Sequence, residues 1–312
     1  MEVGSVAYNY RIARTEITAT QWLDFVDAYA PYWHGSPSDP SFTSWWIYPS
    51  PLGYFIQPGF EQCPVEMSWR MAARYCNWLT NAKRPEQWAF ESGAYDTSTF
   101  TSNPDGSLND QLTHSPGALF WLPTRDEWTK AAYYDPNRNG PGQGGYWRFP
   151  DMSDDPLISG LPGAGGQTNA GLTFPSEPPA WPVGSYPNVQ SPWGLLDVSG
   201  GVSEWTEDCW ISPDNRYLLG TRMRDSIWND RIDWWGYSCS PTAPLAGIRI
   251  ASVVSEPSVM ASAAIAGVIA FRGRRRVRSL ASASPHARRL HAPCSPRPCS
   301  PVWARPELRG RR

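Results

Sequence analysis

Thiols are the first side chains to weigh for chemistry, and this 312-residue chain carries six: Cys63, Cys76, Cys209, Cys239, Cys294 and Cys299. A thiolate can serve as nucleophile, redox centre or soft-metal ligand, but each role needs a partner at a suitable spacing. No pair stands as Cys-x-x-Cys and no zinc-finger spacing occurs, which argues against zinc-ribbon and thioredoxin-type chemistry. Cys76 sits on a helical apolar pattern and reads as a plain buried thiol. Cys63, Cys76, Cys209 and Cys239 could close two disulfides in an exported protein, in a pairing that the sequence leaves open. Cys294 and Cys299 lie in a tail where no structural role is expected. Histidine is scarce. Outside that tail only His34 and His114 occur, far apart in unpatterned loops, and both read as surface side chains.

Charge is split unevenly along the chain. Residues 272–312 hold 12 Arg and one Glu, about +11, so residues 1–271 carry about −13 behind a formal net charge of −2. An acidic body lacks the positive field that phosphate binding needs, and no nucleic-acid partner is expected. A hydrophobic content of 41% argues against wholesale disorder. The 26 Gly and 32 Pro are spread throughout, which suits a loop-rich domain better than a helical bundle. Eighteen Trp then imply aromatic clusters that tie loops to a small regular core.

The elements that must position these groups are few. Tyr10-Arg11-Ile12-Ala13 reads as a strand. Thr18 caps a helix with Trp22, Phe25, Val26 and Tyr29 on one face, stopped by Pro31. Residues 32–64 read as loop. Ser68 caps a second helix that places Ala72, Tyr75, Cys76 and Leu79 together. Residues 85–118 are polar and irregular. Thr124 and Glu127 form a capping box that opens a short helix through Tyr134. Residues 137–192 read as Gly/Pro/Asn loop, and residues 216–252 supply strand-like pieces, including Ala246 to Ala251. No internal repeat is present. Residues 1–253 are expected to form one domain, and loops this long are usually functional or tied down.

These pieces carry a resemblance. Thr15-Glu16-Ile17-Thr18 through Trp22 resembles the E-V-T opening of the formylglycine-generating enzyme, or sulfatase-modifying factor, family. Pro64-Val65-Glu66-Met67-Ser68-Trp69 with Ala72-Ala73 and Asn77-Trp78-Leu79 is similar to its P-V-x-x-V-S-W stretch. Leu122-Pro123-Thr124-Arg125-Asp126-Glu127-Trp128 resembles L-P-T-E-A-E-W. Pro182-Val183-Gly184 to Asn188 with Gly194-Leu195-Leu196-Asp197 resembles P-V-G … P-N … G-L-x-D. Glu204-Trp205 falls at the family's G-N-V-W-E-W, Arg224 to Asp230 at its R-G-G-S-W, and Gly247-Ile248-Arg249 at its final G-F-R. The matches run in order from about residue 10 to 251. The resemblance implies an α+β, C-type-lectin-like variant of this family's fold, loop-rich, with structural calcium.

It also implies what is missing. Family enzymes oxidise a peptidyl cysteine to formylglycine with two cysteines that bind Cu(I), a soft ion suited to thiolates. Those positions fall near Asp230 and Trp235, and neither is Cys. Copper is therefore not expected, and no catalytic residue is assigned. A related branch uses histidine-ligated iron, for which His34 and His114 offer no cluster. For calcium, a hard ion that takes about six to eight oxygens, the resemblance points to Asn169 and Glu204. The motif's Asn and first Trp are replaced by Gly201 and Ser203, which weakens the Glu204 site. Trp228-Asn229-Asp230, with Ser212-Pro213-Asp214 upstream, is also similar to a calcium motif of sugar-binding C-type lectins.

The C-terminus resembles a degenerate PEP-CTERM sorting signal over 254–278. Val254-Ser255-Glu256-Pro257 precedes the apolar run Val259 to Phe271 and then an arginine cluster. Thirteen residues span roughly 20 Å as a helix, short of the roughly 20 residues a bilayer needs. Residues 279–312 read as a disordered basic tail. Met1-Glu2-Val3-Gly4 shows no secretory signal, so an envelope or secreted location requires a signal missing from this sequence. Otherwise the protein is cytoplasmic. The expectation is a bacterial envelope-associated binding module for a protein or glycan ligand, with membrane anchoring through 259–271. The alternative is an oxidoreductase of the same family with an altered metal site.

Overall fold

Side-chain caps decide where the three longer helices begin. In the computed structural model, which describes residues 3–173, 181–234, 236–238 and 240–254, these are α1 (Ala19–Tyr29), α2 (Trp69–Thr80) and α3 (Arg125–Tyr133). Thr18 and Gln21 form a reciprocal capping box on α1, Ser68 accepts from the Met71 N–H on α2, and Thr124 with Glu127 forms a second box on α3. Each cap satisfies backbone donors that the first helical turn would otherwise leave open.

Two three-stranded sheets organise the rest. Tyr10–Ile12 pairs antiparallel with Ala251–Val253, which pairs in turn with Phe120–Trp121. This joins the two ends of the described chain. The second sheet runs Glu204–Cys209, Arg216–Leu219, Gly236–Ser238 in sequence order, all antiparallel, with a register shift between Trp205 and Cys209.

Tryptophans do the tying. The indole N–H of Trp22 reaches the Phe42 carbonyl at 2.9 Å, that of Trp69 the Thr206 carbonyl at 3.0 Å, and that of Trp205 the Met67 carbonyl at 2.8 Å. The last two bolt the start of α2 to the strand Glu204–Cys209. Trp22, Phe25 and Tyr29 of α1 continue as rings onto Phe90, the Tyr29–Phe90 centroids lying 5.1 Å apart. Ring clusters of this kind are how a small core can hold long loops.

Several expectations change. Residues 32–64 contain a short helix, Pro40–Thr43, and a hairpin of Ile47–Ser50 with Gly53–Ile56. The first hairpin strand lacks buried–exposed alternation and contains Pro49, so its pattern does not announce a strand. Residues 246–250 form two isolated bridges, Met67 to Ala246 and Glu204 to Gly247, with the Ile248 and Ile250 carbonyls accepting from the Ile17 and Ala13 N–H groups, and the strand proper starts at Ala251. Gly247 is required there: a Cβ would lie 2.7 Å from the Val65 carbonyl oxygen. α3 ends at Tyr133, and Tyr134 instead opens a two-residue strand paired with Gly145–Tyr146. Cys63, Cys76 and Cys209 are free thiols. Cys239 and Trp235 lie outside the described residues, as do the sorting-like segment from Ser255, its apolar run 259–271 and the tail 279–312. Among the described residues no helix is long and apolar enough to cross a membrane.

Candidate functional site

A cleft of about 510 Å³ opens beside the hairpin. That lies within the size range of small-molecule sites. Trp45 and Trp46 precede the first hairpin strand, Trp181 lines the cleft from the loop that continues into Pro182-Val183-Gly184, and Arg222 and Arg224 come from the turn after the second sheet's middle strand. Trp46 stacks on Phe60 with centroids 4.1 Å apart. Trp45 is 49% exposed, and its indole lies close enough to Glu66 to act on that carboxyl. Burial pushes the Glu66 carboxyl up, while the Arg222 charge and the Trp45 hydrogen bond oppose the rise. Cys63 also lines the cleft. Burial pushes its thiol up to about 11, which keeps it neutral near pH 7 and a poor nucleophile or soft-metal ligand.

Beneath the cleft floor lies a buried polar layer of Glu16, Asn169 and Glu204. Gly201 and Val202 form the floor, and their N–H groups donate to Asn169 Oδ1 at 2.9 Å and Glu16 Oε1 at 2.8 Å. Gly201 has φ +64°, and a Cβ there would sit 2.6 Å from both Glu16 carboxylate oxygens. The Gly that replaces the family's Asn is thus the residue this close approach needs. Glu16 Oε2 has no hydrogen-bond partner, and burial raises the Glu16 carboxyl well above the usual range. Two residues beyond Val202, Glu204 is fully buried. Its carboxylate accepts from Arg249 at 2.8 Å and from the Trp128 indole at 2.7 Å. Arg249 spends its remaining donors on the carbonyls of Ala13, Arg14 and Leu196.

Asn169 and Glu204 therefore flank one loop but serve different partners. Both Glu204 oxygens neutralise a guanidinium, so Glu204 as arranged is not free to hold calcium. The Asn169 amide oxygen retains a lone pair. Among the described residues no three His, Cys, Asp or Glu side chains converge as a metal-holding group.

The other sequence candidates have local duties. Asp230 is buried, and its carboxylate accepts from Thr221 Oγ1 at 2.7 Å and from the Ser199 hydroxyl. Asp214 accepts from the Leu108 N–H and the Ser212 hydroxyl, each at 2.8 Å. Each carboxylate of the lectin-like pair is thus engaged by its own local partners. His34 is exposed, as expected. His114 is not a free surface side chain. It stacks on Trp121 at 4.6 Å and holds buried Glu207 through Nδ1 at 2.9 Å. Burial works against its charged form, but the Glu207 hydrogen bond and charge outweigh it, so the imidazole titrates above its ordinary value. Sequence reasoning missed the cleft aromatics altogether. The one available signal was the density of Trp within segments otherwise read as loop.

Comparisons with known proteins agree with the motif order. The chain is similar to the crystal structure of CarF at 20% identity, covering 79% of this chain and 87% of that one with a TM-score of 0.48. It is also similar to Treponema denticola variable protein 1 at 19% identity, covering 81% and 97% with a TM-score of 0.45. PvdO from Pseudomonas aeruginosa aligns at 16% identity over 78% and 80%, with a TM-score of 0.44. No match is found among curated proteins. The sulfatase-modifying factor enzyme 1-like domain matches residues 4–251, and the chain belongs to that FGE-sulfatase family.

Proposed function

We propose that this family member is a binding module that does not generate formylglycine. The observation that carries the reading is the cleft itself: among the described residues its one thiol, Cys63, is held neutral. Near one of the positions that the resemblance gives to a copper cysteine stands Asp230, committed to Ser199 and Thr221. A Cu(I) site needs paired soft thiolates, and these residues do not fit one. In this reading the fold is the C-type-lectin-like variant, with the cleft as its ligand surface. Display at a bacterial envelope rests on the PEP-CTERM-like sequence pattern of 254–278. Calcium enters as a structural ion near Asn169, while Glu204 stays with Arg249. A melting midpoint that falls in excess chelator supports such an ion, and an unchanged midpoint removes it from the reading.

The test is mass spectrometry of a sulfatase-type cysteine peptide incubated with the full chain, copper and oxygen. No conversion is expected, beside an active family enzyme that converts the same peptide. Aldehyde formation, or stoichiometric copper or iron in the purified protein, would instead favour the oxidoreductase alternative.

A further inference from the structure

The cleft's chemistry is more specific than an apolar groove. Flat indoles, with Trp45 half exposed, alternate with charged groups. Among the described residues Arg224 is exposed and engages in no hydrogen bond or ion pair. Arg222, 53% exposed at its side chain, is only loosely paired to Asp225 at 3.4 Å. Two arginines stand at this mouth beside the Glu66 carboxyl, on a body of about −13, and among the described residues Arg224 is the one whose charge no carboxylate pairs. The floor offers no backbone donors at Gly201 and Val202, since Asn169 and Glu16 take both. An extended peptide would therefore find side chains there rather than a strand edge.

We propose that the cleft binds an acidic saccharide of the uronate type. Sugar rings lay their C–H faces on Trp45 and Trp181, and a sugar carboxylate pairs with Arg224 and Arg222. Pyranose rings present an apolar face and a polar rim, which matches walls of indole edged with amide and carboxyl groups. Arginine suits the acid because its planar fork pairs a carboxylate bidentately. The stack of Trp46 on Phe60 holds the neighbouring indole wall before the ligand arrives, which lowers the ordering cost of binding. The acidic remainder of the surface repels the same ligand elsewhere and confines it to this mouth. The proposal rests on the binding-module reading and adds the class of ligand.

The experiment is titration of the full chain with tetramers of galacturonate and mannuronate, followed by tryptophan fluorescence and calorimetry. The methyl-esterified tetramers serve as neutral controls of nearly the same shape. At least one acid form is expected to bind and perturb the fluorescence, with its ester weaker by roughly tenfold or more, equivalent to about 1.4 kcal/mol. Arg224→Ala should produce a similar loss without lowering the melting temperature, because Arg224 supports nothing else in the fold. Trp45→Ala should abolish binding. Failure of both acids to bind, equal binding of acid and ester, or full binding by R224A would each overturn the proposal. None of those results touches the formylglycine assay, so the ligand class can fail while the binding-module reading stands. Aldehyde formation in that assay would instead remove the reading on which it rests.

Discussion

At the scale of single residues, the Glu204–Arg249 pair is the feature most exposed to test. Both side chains are fully buried. Between them they join the E-W motif, the final G-I-R, the loop after Ala13 and the turn at Leu196. Removing one member leaves the other charge buried without its partner, which typically costs about 3–5 kcal/mol. Glu204→Ala is therefore expected to destabilise by that amount in urea denaturation, and Arg249→Met by at least as much, since it also orphans three carbonyls. A loss below about 1 kcal/mol for Glu204→Ala would show that the pair does not organise these loops. The sequence made Glu204 and Arg249 visible as separate motif residues. It did not join them, because the pairing depends on tertiary geometry across 45 positions. His114 was misread for the same reason: its partner Glu207 lies 93 residues away.

At the scale of elements, legibility follows how local the determining interactions are. The starts of α1, α2 and α3 were readable because a cap is written within four residues. The hairpin 47–56 was not, since Pro49 interrupts its first strand and its aromatics divide between the cleft, at Tyr48, and the core, at Tyr54. The stretch 246–250 misled in the other direction. Its apolar residues are buried in the core, while its backbone makes isolated bridges and loop hydrogen bonds rather than a ladder. α3 offers a clean test of the local argument. Thr124→Ala removes the side-chain acceptor for the Glu127 N–H, and Glu127 also receives the Trp121 indole at 3.0 Å. The expected loss is about 1 kcal/mol, within the usual range for a lost N-cap, seen as a lowered thermal midpoint. Thr124→Ser should restore most of it. If alanine and serine were equally destabilising, packing of the threonine methyl rather than capping would be the cause.

At the scale of the whole molecule, the buried acids bias stability toward mildly acidic pH. Burial pushes Asp230 up to about 7, against the hydrogen bonds of Ser199 and Thr221 that favour its charged form. Burial likewise lifts Asp197 to about 6, and it raises Glu16 well above its ordinary value. A group that binds its proton more tightly when folded contributes stability that is complete below its unfolded value. That contribution is lost as pH rises through the folded one. For Asp230 this window runs from about pH 4 to 7, and His114, also raised, adds a loss of the same sign above about pH 6.5. Asp96 and Asp105 shift downward and have the opposite sign, but they titrate below this window. Self-repulsion of the acidic body grows over the same range and adds to the trend. The urea midpoint is therefore expected to be higher at pH 5.5 than at pH 8, the Asp230 share being on the order of a few kcal/mol. Asp230→Asn stands in for the protonated acid and should flatten the profile, matching or exceeding the parent at pH 8. A midpoint that rises with pH, or a variant that keeps the full slope, would mean that Asp230 is ionised in the folded protein. A buried cation would then have to compensate it, and the metal-bearing alternative for this family member would gain the support it now lacks.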